Sequence, residues 1–497
     1  FDPDQHRPTP LVELPKELNP FFDERVHIYV KLHSTLPAGN VKSLPALNMF
    51  QQAGLDAGTE HRIKRIVEYS SGSTVISMAM LAHMRGIDDV SAFLSNKTSS
   101  AKLKLMRFFG LRLRLFGGPS QPEPLDPRGG IAATKQAAVG EHALNPDQYS
   151  NPANYGAHER WTGPQLARQL PEMDVFVAGM GTAGTMTGTG LALKRLMPRV
   201  TRVGVTTQPG DRVPGPRAES MLKPVEFPWR DAIDAMEWVT SPKAYARSLE
   251  LCRYGLLCGP SSGFNLEGLL QFLRGHQSRG TLDSLRASPD APLHAVFIAC
   301  DGPYQYIDEY FDKCPADAFP PIENEGLIDV DRYRYDDAWE LGASDAPSTR
   351  RTSIASSDGL REASSIKPRT LVLDLRSADE THAIAGSVRV PLASLTASTL
   401  CPFADAAVLA RQWRELDELL DPCSASSRSQ KLQRLLASHA GEVLLVCYGG
   451  GTARVASSVL RQRGHEAFSL AGGMRRWQHG SWPVVATSEV HKGELLI

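Results

Sequence analysis

The chain has 497 residues, which suggests two or three domains. It carries 54 Lys and Arg against 55 Asp and Glu, so no global field gathers nucleic acid or an anionic membrane surface. Hydrophobic residues make up 42%, ordinary for a soluble globular protein, and no apolar run approaches the roughly 18–20 residues of a membrane helix.

From Phe1 to about Ile328, strand-like runs alternate with helical ones. The strand-like runs are HIYVKL, HRIKRIVEYS, DDVSAFL, LRLRLFGG, DVFVAGM, TRVGVTT and HAVFIACD. The helical ones include PALNMFQQAG, VISMAMLAHMRG, AKLKLMRFFG and FNLEGLLQFLRG. Such alternation predicts α/β layers with mainly parallel strands. The composition shifts over Gly342 to Ser365, GASDAPSTRRTSIASSDGLREASS, which reads as an exposed, mobile linker. A second α/β pattern follows: TLVLDLR, GSVRVPL, EVLLVCYGG, VASSVLRQRGH and AFSLAGGMRRW. The expected organisation is a domain over 1–330, a linker over 331–368 and a second domain over 369–490. Within the linker, RRTSI places Ser353 behind two arginines, a pattern basophilic kinases read, though a solvated, unmodified linker is the plainer explanation.

The seven cysteines are Cys252, Cys258, Cys300, Cys314, Cys401, Cys423 and Cys447, with no C-x-x-C pair. An odd, scattered set fits a reducing compartment and argues against a zinc knuckle or a dithiol redox motif. A cytoplasmic location is expected, with a mitochondrial one as the alternative. The sequence starts at Phe1 rather than Met, so a targeting peptide is left open.

The stretch VAGMGTAGTMTGTG, Val177 to Gly190, follows a buried strand and precedes GLALKRLMP, a short helix closed by Pro198. A Gly/Thr turn at a helix N-terminus suits an anion, because free N–H groups and the helix dipole both favour negative charge. A phosphate is one occupant; a tight turn holding nothing is the other reading. Lys42 stands between a Gly-Asn turn and an apolar helix. A partly desolvated lysine has a lowered pKa and can attack an aldehyde, whereas a lone surface lysine would do nothing. In EYSSGST, Ser70, Ser71, Ser73 and Thr74 surround Gly72, a second anion cradle suited to a carboxylate. Ser261 and Ser262 open another helix, where a simple N-cap is the plainer explanation.

Taken in order, these motifs resemble the fold-type II pyridoxal-phosphate (PLP) enzymes, specifically the cysteine synthase and cystathionine β-synthase family, from about Thr9 to Phe311. TPLVEL is similar to the family's opening and AGNVKSLPALNM to its lysine segment. EYSSGST, QYSNPANYGAH, GMGTAGT and GLLCGPSSG are similar to its remaining four motifs, in the same order. The resemblance implies that Lys42 bonds the aldehyde of pyridoxal 5′-phosphate and that Gly181, Thr182, Ala183, Gly184 and Thr185 bind its phosphate. It further implies that Ser261 faces the ring nitrogen, and that Ser73 takes the place of an asparagine contacting the 3-hydroxyl. Ser71, Gly72, Thr74 and Gln148 would grip the substrate α-carboxylate. Ala183 replaces a family glycine, Lys42-Ser43-Leu44 replaces Lys-Asp-Arg, and QPGDRVPGPRAESMLKP replaces a glycine-rich region.

After the linker, Cys447 heads a turn between a strand and a helix, placed for thiolate stabilisation by N–H groups. A buried strand-end cysteine is the competing reading. LVLDLRSADETHAIAGSVRVPL, the Cys447 loop and LAGGMRRW together resemble the rhodanese domain, from about Arg369 to Val485. Asp374 and Arg376 match that family's Asp-x-Arg, whereas Thr452 stands where its loop has arginine, and the nearest arginine is Arg454.

The expected protein is a two-module sulfur enzyme, α/β throughout. The first module would perform β-replacement on serine or an O-activated serine to form cysteine or a related sulfur amino acid. The second would carry sulfane sulfur on Cys447. The alternatives are a cysteine desulfhydrase or serine/threonine-type lyase, or a non-catalytic sulfur-sensing or interaction protein. Expected partners are a small amino acid and a sulfur donor, with no nucleic acid, no membrane, no metal, and a homodimeric assembly.

Overall fold

Runs of Val, Ile and Phe build parallel strands in each of two compact units, Phe1–Phe319 and Pro320–Ile497. The computed structural model describes residues 2–56, 62–70, 72–117, 126–323, 325, 328, 335–343, 370–480 and 482–487. Ser71, Ser353 and most of the expected linker therefore lie outside the described residues.

In the first unit, six strands order as Leu11–Glu13, Val26–Leu32, Leu293–Ala299, Val175–Gly179, Thr201–Thr207 and Ala235–Val239. All pair in parallel except the first, which runs antiparallel to Val26–Leu32. A second sheet orders Arg112–Phe116, Asp89–Ser95, Arg65–Tyr69 and Ala143–Leu144, all parallel. Val175 to Ala178 are buried without alternation, as a strand covered on both faces requires. The Pro260–Ser278 helix packs on this strand and on Leu293–Ala299, and Leu266, Leu269, Leu270 and Leu273 join the same core as Val175 and Phe297. The second sheet packs its Ile66, Val90 and Ala92 against Leu47, Phe50, Val75 and Met78 from two helices.

One helix differs from expectation. It starts at Gly184, inside the Gly/Thr stretch, rather than after Gly190, and runs to Leu196. Gly188 and Gly190 lie inside that helix, and a Cβ at either would overlap the carbonyl of Tyr155 or Ala232. Close packing, not turn formation, accounts for those two glycines.

The second unit has a five-stranded parallel sheet ordered Glu340–Leu341, Ala467–Leu470, Val443–Val446, Leu371–Asp374 and Val388–Arg389. Its edge strand falls within the expected linker. A two-residue strand gives no periodic signal; Glu340 and Leu341 pair with Ser469 and Leu470, and Trp339 lies 4.6 Å from the Arg461 guanidinium. The helix Ala406–Leu420 was also unread, although Asp405 caps it by accepting from Ala407 N (2.9 Å) and Val408 N (3.1 Å).

Candidate functional site

Tyr69, Ser95, Phe116, Gly179 and Thr207 are the last residues of five parallel strands, and all line one cleft of about 720 Å³. Strand C-terminal ends are where open α/β sheets place their ligands. Lys42, Gly72, Ser73, Thr74, Gln148, Gly181, Thr182, Thr185 and Ser261 line the same cleft. Residues separated by more than two hundred positions thus share one space. Ala183 is buried in the Gly181–Thr185 turn, and Gly184 opens the helix behind it.

Lys42 is positioned by Asn40. Asn40 Oδ1 accepts from Lys42 N (2.9 Å) and Ser77 Oγ (3.0 Å), while its Nδ2 donates to Ala38 O (2.6 Å). The clamp holds a turn in which Ala38 has a φ of 63°. Burial pulls the Lys42 ammonium below its ordinary pKa; Cys300 opposes this and the Arg217 charge adds to it.

The Gly181–Thr185 turn is closed by tight contacts. A Cβ on Gly181 would overlap Gly215 O, and one on Gly184 would overlap Asn154 Oδ1. Ala183 adopts the left-handed region at φ 60°, where the family glycine is the easier residue. Asn154 Nδ2 donates to Gln148 O (2.6 Å) and Thr182 Oγ1 (3.3 Å), tying the turn to the Gln148 segment. Thr185 Oγ1 lies 3.2 Å from His158 Nε2, within a π-helical turn over His158–Thr162. Burial, with Lys42 nearby, holds the His158 pKa down at about 3, so the ring is neutral. Across the cleft, Gly72 precedes the helix Ser73–His83. Thr74 Oγ1 donates to Gln148 Oε1 (2.9 Å), and Gln148 Nε2 donates to Tyr69 O (2.8 Å).

Four further cleft residues were not singled out from sequence. Arg217 Nη2 donates to Tyr149 OH at 2.6 Å. Its only sequence signal was its place in the segment that replaces the family's glycine-rich region. Asp301 Oδ2 accepts from Tyr306 OH (2.6 Å) and Gln305 Nε2 (2.9 Å), while its buried Oδ1 has no partner among the described residues. Burial pushes this carboxyl up to about 6, against the pull of the Tyr306 hydroxyl and Lys102. Asn265, one turn after Ser261, donates to Ile298 O (2.8 Å) and leaves Oδ1 unpaired among the described residues. Cys300, beside Lys42, has its thiol pushed up to about 11 by burial and then by Asp301.

In the second unit the strand Val443–Val446 ends at Cys447, and the helix Gly451–Gln462 follows. Cys447 Sγ accepts from Gly450 N (3.0 Å) and Ala453 N (3.4 Å). The N–H groups expected around the thiol are in place. Burial raises the Cys447 pKa, and the surrounding N–H groups only partly offset it. Thr452 Oγ1 donates to buried Gln412 Oε1 (2.9 Å). Arg454 pairs with Glu340 and stacks 4.6 Å from the Tyr335 ring centre, so it does not replace the missing loop arginine. Arg376 forms a buried two-pronged pair with Asp374 (3.0 and 2.7 Å), a structural tie rather than a cleft group.

A half-buried lysine and two anion turns around one cleft, joined to a unit built on a cysteine loop, define a two-module α/β enzyme. The sequence profile described as pyridoxal-phosphate dependent enzyme matches residues 3–282, and that described as rhodanese-like domain matches residues 358–479. The chain belongs to the pyridoxal-phosphate dependent enzyme family and carries a C-terminal rhodanese-like domain. It is 33% identical over 279 residues to a cysteine synthase of Aquifex aeolicus, covering 55% of this chain and 83% of that one. It is also 33% identical over 307 residues to cysteine synthase B of Salmonella typhimurium, covering 60% and 91%. Among solved structures, it is similar to an O-ureido-L-serine-bound mutant of O-ureido-L-serine synthase, with TM-score 0.51 and 25% identity, over 64% of this chain and 94% of that one. A hydrogen sulfide-producing enzyme from Fusobacterium nucleatum shares the fold, with TM-score 0.50 and 21% identity, over 60% and 94%.

The cofactor of this family is pyridoxal 5′-phosphate, and the cleft fits it. The Gly181–Thr185 turn leaves no room for a Cβ at either glycine. Lys42, Lys97, Lys102, Arg212 and Arg217 line the cleft against Asp211 and Asp301, an electropositive balance that suits a phosphate. Among the described residues, no helix is long and apolar enough to cross a membrane.

Proposed function

We propose that the first unit performs β-replacement on serine or an O-activated serine, forming cysteine or a related sulfur amino acid, and that the second unit carries sulfane sulfur on Cys447. The observation that carries this reading is the convergence of half-buried Lys42, the Gly181–Thr185 turn and Ser261 on one cleft. Lys42 would hold the cofactor at rest, and the Gly181–Thr185 turn would bind its phosphate with the Gly184–Leu196 helix dipole behind it. The Ser261 hydroxyl, at the first turn of its helix, would face the ring nitrogen and, being neutral, would leave it uncharged. The bound cofactor withdraws electrons from the substrate Cα, which makes loss of its proton and of the β-substituent feasible.

The chain's own groups do the rest. Gly72 and Thr74, at a helix N-terminus, face the substrate carboxylate, and Gln148, fixed by Thr74 and Tyr69, orients it. Burial and then the Arg217 charge lower the pKa of Lys42 Nζ, which suits it to act as the base. It takes the Cα proton and returns it after the sulfur nucleophile has added at Cβ. Arg217 adds positive charge beside the reacting centre, which favours an electronegative leaving group. A homodimer working in the cytoplasm completes the reading.

Borohydride reduction of the protein reconstituted with pyridoxal 5′-phosphate, followed by peptide mapping, tests the site. The cofactor should be trapped on Lys42. Trapping on another lysine, or no trapping, contradicts the assignment.

A further inference from the structure

Cys447 is only 1% exposed, so a bulky sulfur acceptor has no direct access to it. A second thiol stands against the same loop. Cys401 is exposed, and its Sγ lies 3.0 Å from where a Cβ on Gly451 would be, with Pro402 Cδ at 3.1 Å from the same point. Gly451 lies between Gly450 and Ala453, whose N–H groups hold Cys447 Sγ. Any side chain at position 451 would push Cys401 off the loop. A second tie fixes the segment. Arg475 N donates to Tyr448 O (3.1 Å), and its Nη2 donates to Ala397 O (2.7 Å), four residues before Cys401.

We infer that Cys401 is the sulfur-presenting thiol of the second unit: it takes the outer sulfur of a Cys447 persulfide and offers it at the surface. The inference rests on the carrier reading of Cys447 proposed above. Loading moves the outer sulfur of thiosulfate to Cys447 and releases sulfite. Cys401, as thiolate, then attacks the outer sulfur. One S–S bond forms and one breaks, and Cys447 departs as thiolate into the N–H groups of Gly450 and Ala453. The proton lost by Cys401 goes to solvent. No oxidant or reductant is consumed, because one persulfide replaces another.

Full-length protein is given thiosulfate, freed of excess, alkylated, and mapped by peptide mass spectrometry; its discharge to glutathione is timed in parallel. Wild type should carry trapped persulfide at both Cys447 and Cys401, and Cys447→Ser at neither. Cys401→Ser should carry it at Cys447 alone and discharge about tenfold more slowly, since the acceptor must then reach a buried sulfur. Cys423→Ser, which removes another exposed thiol, should match wild type. Loading of Cys401 in Cys447→Ser, or discharge from Cys401→Ser at the wild-type rate, overturns the inference while leaving sulfur uptake intact. Failure of every variant to take up sulfur removes the carrier reading itself, and this inference with it.

Discussion

Arg217 donates from Nη2 to Tyr149 OH at 2.6 Å, and its guanidinium lies 5.0 Å from the centre of the Tyr149 ring. The tyrosine thereby holds a permanent cation in the cleft that contains Lys42. That charge lowers the Lys42 pKa. Replacing Arg217 with Met should let Lys42 keep its proton to higher pH. The rate limb that requires the neutral amine should then move to higher pH, as read from single-turnover rates across a pH series. An unshifted limb would show that Arg217 does not tune Lys42.

Asn40 makes its prediction through backbone geometry. Asn40→Ala removes the acceptor of Lys42 N, in part-buried surroundings, and of the buried Ser77 Oγ. Each unsatisfied donor costs about 1–3 kcal/mol, so thermal unfolding should come earlier by several degrees. Addition of cofactor should restore part of the loss, measurable by calorimetry with and without it.

Gly184→Ala places a methyl group on Asn154 Oδ1. The clash should displace either the turn or Asn154, which ties it to Gln148. A stability loss of about 1–3 kcal/mol is expected from overpacking. Cofactor affinity should fall more than stability does, as followed by equilibrium dialysis. A variant that binds the cofactor as wild type does would remove the phosphate role from this turn.

Much of this site was legible because its motifs are local. Each anion turn couples a strand end to a helix start within a few residues, and glycine marks close approach. Lys42 and Cys447 stood out by the same logic. Arg217, Asp301, Asn265 and Cys300 were not legible, since their importance comes from folding remote segments onto one cleft. Nothing near Asp301 in sequence announces an unpaired, buried carboxylate oxygen. The edge strand Glu340–Leu341 was hidden for a related reason: two residues have no period, and only pairing with Ser469 and Leu470 defines them. At Cys447 both sequence readings hold together: N–H groups meet the thiol, and the thiol is buried.

Glu68 gives a stability prediction. Burial, with Asp147 adding, raises its carboxyl from 4.5 to about 8, despite N–H bonds from Tyr69 (2.9 Å) and Gln148 (3.4 Å). The folded state holds this proton more tightly than the unfolded chain does. Its contribution is therefore full below pH 4.5 and is lost as pH rises toward about 8. Glu68→Gln mimics the protonated form and should flatten the fall in melting temperature over that window. Parallel curves for the two proteins would contradict the assignment.

The most direct measurement is cysteine formation from O-acetylserine and sulfide by the full-length protein reconstituted with pyridoxal 5′-phosphate, followed by mass spectrometry beside Lys42→Ala. Wild type should release cysteine, and Lys42→Ala should be slower by about 10²–10⁴-fold, the usual contribution of a positioned general base. Pyruvate and ammonia without cysteine, or equal rates for the two proteins, would contradict β-replacement through Lys42.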